Sequence, residues 1–167
     1  MPCSSFAPAT RSFQVAVACA ALLVGSFVYV VDRPSDSAAF LGAASLGHQI
    51  SGLFGWVGWS LPTFAHTFAL SVLTAACLGG GKRAGLAAGA MWFTIDCGFE
   101  IGQHRSIAGY LVPFIPQWFE RAPILERTDA YFLSGTFDAW DVVSIAAGAM
   151  AAYLMTALPT SGDSDHG

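Results

Sequence analysis

Asp96 and Glu100 stand four residues apart inside an apolar run, and they are the residues best placed to do chemistry in this chain. Gln103 and His104 follow, and the spacing predicts one helix face carrying all four polar groups. A carboxylate in hydrocarbon is costly unless it is paired, protonated or reached by water, so such residues are functional candidates by default. A carboxyl whose pKa is raised there can serve as a general acid or base, and an imidazole is its natural partner. His66 supplies that imidazole from a second apolar run. Asp138 and Asp141, three residues apart, open a third run. The candidate catalytic residues are therefore Glu100, Asp96 and His66, and the candidate binding residues are Gln103, His104, Asp138 and Asp141.

Each of these residues also has a simpler reading. Asp138 as an N-cap, with Asp141 at the third helical position, would steady a helix start through the orphan amides and the macrodipole. His66 could be an interhelical hydrogen-bonding histidine, and His104 with Arg105 could mark a membrane interface. Asp96 with Glu100 resists such a reading, because a structural role still needs a buried partner and no Lys or Arg lies inside the same apolar runs. A metal held by His66, Asp96, Glu100 and His104 is chemically conceivable. However, HExxH is absent, and His104 follows Glu100 at four residues where a di-iron ExxH needs three. A haem between His66 and His104 would need rings at equal depth. No metal and no cofactor is expected. Cys3, Cys19, Cys77 and Cys97 show no CxxC spacing, and no disulfide is expected.

The elements that must position these groups follow from composition. Of 167 residues 54% are hydrophobic and only 11% charged, with a net charge of −4 and a mean hydropathy of +0.57. Disorder is excluded, and there is no basic field to hold nucleic acid. The pattern predicts an all-α polytopic membrane protein, a single domain over residues 1–159 with a disordered tail at 160–167. Four transmembrane helices are expected, at 13–31, 61–78, 84–102 and 142–158, each near the roughly 20 apolar residues needed to cross hydrocarbon. The first is read as a signal anchor in preference to a cleaved signal peptide, since its apolar run is too long for the latter. Residues 38–60, glycine-rich with Trp56 and Trp59 near the end, read as interfacial or re-entrant. Residues 106–132 mix prolines, paired charges and aromatics such as Tyr110, Trp118 and Tyr131, the composition of an outer aromatic belt.

Arg11, Lys82 and Arg83 belong on the cytoplasmic side by the positive-inside rule, which places both termini there. In that topology Asp96 lies about six residues, or roughly 9 Å, below the outer end of its helix, and His66 roughly 8 Å below the same surface. Thr63, Thr67, Ser71 and Thr74 recur at near-helical spacing beside His66 and can satisfy neighbouring helices. Gly85 with Gly89, Gly98 with Gly102, and Gly148 with Ala152 are small-xxx-small pairs that permit close helix approach.

His66 within Leu61-Pro62-Thr63-Phe64-Ala65-His66, Glu100 and Gln103 as Glu-x-x-Gln, and Phe137-Asp138-Ala139-Trp140-Asp141 followed by Gly148 form a pattern. It resembles the VanZ-like family of small bacterial membrane proteins over roughly residues 61–158. The resemblance matches His66, Glu100, Gln103, Asp138, Asp141 and Gly148, whereas Gly135 stands where the family usually has arginine and Ile145 where it has asparagine. If the acids need a cation, Arg105, Arg121 or Arg127 would have to provide it. The resemblance implies a multi-pass protein of the bacterial cytoplasmic (inner) membrane. One member of the family is linked to glycopeptide resistance.

The function expected from all of this is an outer-leaflet polar pocket that binds or processes a polar headgroup or a lipid-linked cell-envelope precursor, with membrane lipid as its surroundings. The rival expectation is a non-catalytic structural or assembly subunit docked onto other membrane protein subunits. A proton-coupled transporter is the weaker third, because no inverted repeat or inner polar half is visible.

Overall fold

The computed structural model describes residues 9–32, 53–122 and 125–157, and these form helices and turns with no strand among them. Four long helices make the body: α1 (Ala9–Asp32), α2 (Gly55–Cys77), α3 (Gly81–Gly102) and α6 (Ala139–Ala157). Between the last two lie the short helices α4 (Arg105–Leu111) and α5 (Thr128–Ser134), with 3-10 turns at Val112–Phe114, Gln117–Arg121 and Leu125–Arg127.

The contacts at the two ends fix an up-down-up-down bundle. Arg11, near the start of α1, donates to the carbonyl of Gly79 after α2, while Asp32 at the end of α1 accepts from Phe54 N–H before α2 at 3.2 Å. Gly79, Gly80 and Gly81 all take positive φ, so α2 reverses into α3 within a few residues; a side chain at any of them would be strained. Asp141 in the first turn of α6 meets Thr63 of α2 at 3.0 Å, and Thr156 near its other end packs on Gly85 of α3. Arg11, Lys82 and Arg83 thus collect at one end of the bundle, and Asp96, Glu100, Asp138 and Asp141 toward the other.

Small residues decide how close the helices come. Ala18 of α1, Phe68, Ala69 and Val72 of α2 and Ala152 of α6 form the buried core, with Val17, Leu22, Phe64 and Met155 packed around it. A Cβ at Gly148 would lie 2.7 Å from the Phe64 carbonyl oxygen and 3.1 Å from Phe68 N, so α6 touches the backbone of α2 there. Gly85 and Gly102 are likewise closed over, by Thr156 and by Phe132, whereas a Cβ at Gly98 would have nothing within 4 Å. The expected Gly98–Gly102 pair is therefore close-packed at one member only.

Three of the long helices, Arg11–Asp32, Gly55–Cys77 and Ala139–Ala157, are long and apolar enough to cross a membrane. α3 is long enough but carries Lys82, Arg83, Asp96 and Glu100 and is not among them. The second helix also begins earlier than its sequence suggested. The span was expected from 61, yet α2 begins at Gly55 and runs through Pro62, so Trp56 and Trp59 belong to the helix and not to a separate interfacial segment. The missing proline N–H leaves the Gly58 carbonyl without its helical donor, a local loss that membrane helices tolerate when neighbours are close. Here Pro62 backbone atoms lie within 4 Å of where a Cβ on Gly25 would sit. The rest of the predicted interfacial stretch, 38–52, and the tail at 160–167 lie outside the described residues.

Candidate functional site

α2, α3 and α6 meet along a seam of polar side chains at the carboxylate end. The inward row of α2 supplies it with hydroxyls: Thr63 donates to Asp141 Oδ1 of α6 at 3.0 Å, and Thr67, one turn further, bonds Asp96 Oδ2 of α3 at 2.5 Å. The other Asp96 oxygen, Oδ1, faces His66 Nε2 at 3.8 Å, an ion pair when the imidazole is protonated but too long for a hydrogen bond. The two partners differ in access: the His66 side chain is 54% exposed and that of Asp96 only 12%. The edge of the His66 ring meets Trp92 at 6.1 Å between centroids, and Trp92 is itself tied through Nε1 to Thr74 Oγ1 at 2.9 Å.

Glu100 lies one turn beyond Asp96 and is buried. Its Oε1 accepts the backbone N–H of Asp138 at 2.7 Å, and the Gln103 amide approaches Oε2 at 3.4 Å. Glu100 therefore fastens the end of α3 to the start of α6. Asp138 in turn accepts the Trp140 N–H at 2.9 Å, the side-chain geometry of an N-cap, with Asp141 in the first turn of the same helix. Both aspartates thus stabilise the helix start, as their spacing allows, and Asp141 also reaches across to α2.

His104 is not on the face it was expected to share. α3 ends at Gly102, the Gln103 N–H and the His104 N–H close tight turns onto Glu100 O and Ile101 O, and His104 itself is extended with φ −64° and ψ 129°. It starts the next helix, where Nδ1 accepts the Ser106 N–H at 3.3 Å, and it is exposed beside Phe137. The helical spacing rule placed it wrongly because the helix stops two residues earlier.

Tyr131 of α5 was grouped with the aromatic belt by sequence, and the structure brings it into the site. Gln103 Nε2 donates to its hydroxyl at 2.6 Å, and its ring meets Phe99 edge-on. Phe132 stacks on Phe99 and closes over Gly102, so α5 covers the end of α3. Burial first, and then the Glu100 charge, push the Tyr131 phenol up to about 12. A phenol raised in the folded state contributes stability that is complete below its unfolded value near pH 10 and is lost as pH rises toward 12. The expected result is a fall in melting temperature over that interval that Tyr131→Phe removes, followed by thermal melts between pH 9 and 12. An unchanged pH slope in the variant would show that Tyr131 is not the group responsible.

Gly135, at the position where the resemblance calls for arginine, lies against the Gln103 amide, and a side chain there would collide with it. Ile145, at the asparagine position, is 1% exposed. Arg105 and Arg121 are exposed and form no ion pair with the acids among the described residues. Nor do three His, Cys, Asp or Glu side chains converge among the described residues as a metal cluster. Comparison with known protein families, with curated proteins and with solved structures finds no match to this chain.

Proposed function

We propose that this chain is a VanZ-like protein of the bacterial inner membrane that binds, and in the stronger form of the reading processes, the polar headgroup of a membrane lipid or lipid-linked envelope precursor. In this proposal α3 is the fourth span. Its two charged ends face opposite surfaces, with Lys82 and Arg83 toward the cytoplasm and Glu100 toward the outer leaflet, and both termini are cytoplasmic.

The observation that carries the reading is the half-open His66–Asp96 pair. A polar side chain exposed well inside a helix that is apolar enough to span is costly there unless something polar meets it. Asp96 is held on its far side by Thr67, which leaves Oδ1 and the imidazole as the accessible acceptor and donor. A hydroxyl of a headgroup is the complementary chemistry, since it can donate to a carboxylate and accept from an imidazole N–H. If a reaction follows, His66 is the acid or base and Asp96 orients it.

The test combines topology with binding. In a background with the four native cysteines replaced, Ser134→Cys is expected to label from outside intact cells and Lys82→Cys is not. The wild-type protein, extracted with its lipids and examined by native mass spectrometry, is expected to retain a headgroup-bearing lipid. His66→Ala should lose that lipid while keeping the melting temperature within a few degrees, and Asp96→Asn should lose it while still inserting and folding. Retention of the same lipid by both variants would sink the reading.

The open face of α3 around Gly98, flanked by exposed Ile95 and Phe99, favours the second reading, a subunit of a larger membrane complex. A stoichiometric partner that copurifies with the wild type and is lost in Gly98→Leu would support it.

A further inference from the structure

One buried group takes no part in the contacts described so far. Ser71 is 1% exposed, and its hydroxyl oxygen has no hydrogen-bond partner among the described residues. Serines in membrane helices usually bond back to the carbonyl four residues earlier, as Thr67 does to Thr63 O at 3.2 Å, and Ser71 does not. Leaving a buried hydroxyl unsatisfied costs roughly as much as a hydrogen bond contributes, so its orientation needs a reason.

Its position supplies one. Thr67, Ser71 and Thr74 fall on one row of α2, four and then three residues apart. Thr67 bonds Asp96 of α3 and Thr74 bonds Trp92 of α3, so the row faces α3 and Ser71 sits on it between the levels of Asp96 and Trp92. Ser71 thus belongs to the row of α2 that meets α3, about one helical turn away from Thr67.

We propose that Asp96, Thr67 and Ser71 form a binding site for one dehydrated monovalent metal cation of the size of sodium or potassium. Three features of the donor set point to that class. All the donors are hard oxygens, which suit alkali and alkaline-earth ions over zinc, copper or iron. A single carboxylate contributes, which balances one positive charge, whereas calcium and magnesium sites draw on more negative charge or on several waters. The Asp96 side chain is only 12% exposed, and the cation nearest to it among the described residues is His66 at 3.8 Å, which is one only when protonated. The Thr67 hydroxyl hydrogen is shared between Asp96 Oδ2 and Thr63 O, which leaves the lone pairs of its oxygen available, and Ser71 Oγ has no partner among the described residues. The site lies on the inner side of Asp96, away from the open imidazole, and it does not depend on whether a headgroup binds His66.

The test is a melt of the full-length protein in nanodiscs, followed by tryptophan fluorescence, with sodium or potassium chloride replaced by choline chloride at constant ionic strength. The wild type is expected to gain a saturable stabilisation with at least one metal ion, roughly 5–10 °C at a hundredfold excess over Kd, that choline does not reproduce. Ser71→Ala and Asp96→Asn should abolish the gain, and His66→Ala should keep it. Ser71→Ala also carries its own folding control: in choline it removes an unsatisfied buried hydroxyl and should melt at or above the wild type, so the order of the two proteins reverses when the metal ion is added. Equal melting of the wild type in all three salts, as a buried water or a protonated Asp96 would give, overturns the proposal. A metal-specific gain that survives in both Ser71→Ala and Asp96→Asn overturns it as well.

Discussion

Glu100→Ala is expected to lower the stability of the bundle by about 3 kcal/mol, because a charge-assisted hydrogen bond of roughly 1.5–3 kcal/mol is lost and the Asp138 N–H is left without its acceptor. At roughly 2–4 °C per kcal/mol for a chain of this length, the melting temperature should fall by about 10 °C. Glu100→Gln keeps the shape and one acceptor oxygen, so its loss should be about half. The order wild type, Gln, Ala is the content of the prediction, read from melts in nanodiscs at neutral pH. Both variants should also weaken headgroup binding if Asp96 and His66 bind it, since the start of α6 carries Asp141, which fixes Thr63 one turn from Thr67. Melting temperatures within 1 °C of the wild type for both variants would mean that α6 is held by its other contacts and that Glu100 serves something other than the fold.

Much of the site could be read from the sequence because hydrocarbon makes polar residues conspicuous. Asp96 and Glu100 interrupt an apolar run at helical spacing, and that alone placed them on one face of α3. Matching His66 to Asp96 needed only the antiparallel direction of two adjacent helices and the rise per residue. The structure then puts them 3.8 Å apart. What escaped the sequence depended on where helices end and on contacts distant along the chain. His104 left the face because α3 stops at Gly102, where the span was expected to end, and helical spacing does not carry to residues beyond that end. The second helix starts six residues earlier than expected, and the closeness of its interior Pro62 to Gly25 of α1 is not visible from local signals. Tyr131 is 28 residues from Gln103, and nothing in an aromatic, proline-rich stretch distinguishes it from Tyr110, which is 77% exposed. Ser71 was visible as one of a row of hydroxyls, but only the structure shows that it alone in that row lacks a partner among the described residues.

Gly148→Val should be the most damaging substitution outside the polar seam. Most glycine replacements fail through backbone conformation, but Gly148 is helical and the obstacle is α2 itself: a Cβ would come within 2.7 Å of the Phe64 carbonyl oxygen and 3.1 Å of Phe68 N. Those are main-chain atoms in the middle of a helix and cannot swing aside, so α6 must move away from α2 as a unit. That displacement separates Asp141 from Thr63 at one end of the contact and loosens Ala152 from the core cluster at the other. Overpacking of this kind costs about 1–3 kcal/mol where side chains can adjust, and the rigid opposing surface puts Gly148→Val at the top of that range or above it. The matched control is Gly98→Ala, where a Cβ meets nothing within 4 Å and the better helix propensity of alanine should raise stability by up to about 1 kcal/mol. Melts of the two variants in nanodiscs should therefore move in opposite directions. If Gly148→Val is tolerated and Gly98→Ala destabilises the protein or releases a copurifying partner, the close-packed surface of this chain is the outward face of α3. The subunit reading would then displace the headgroup site.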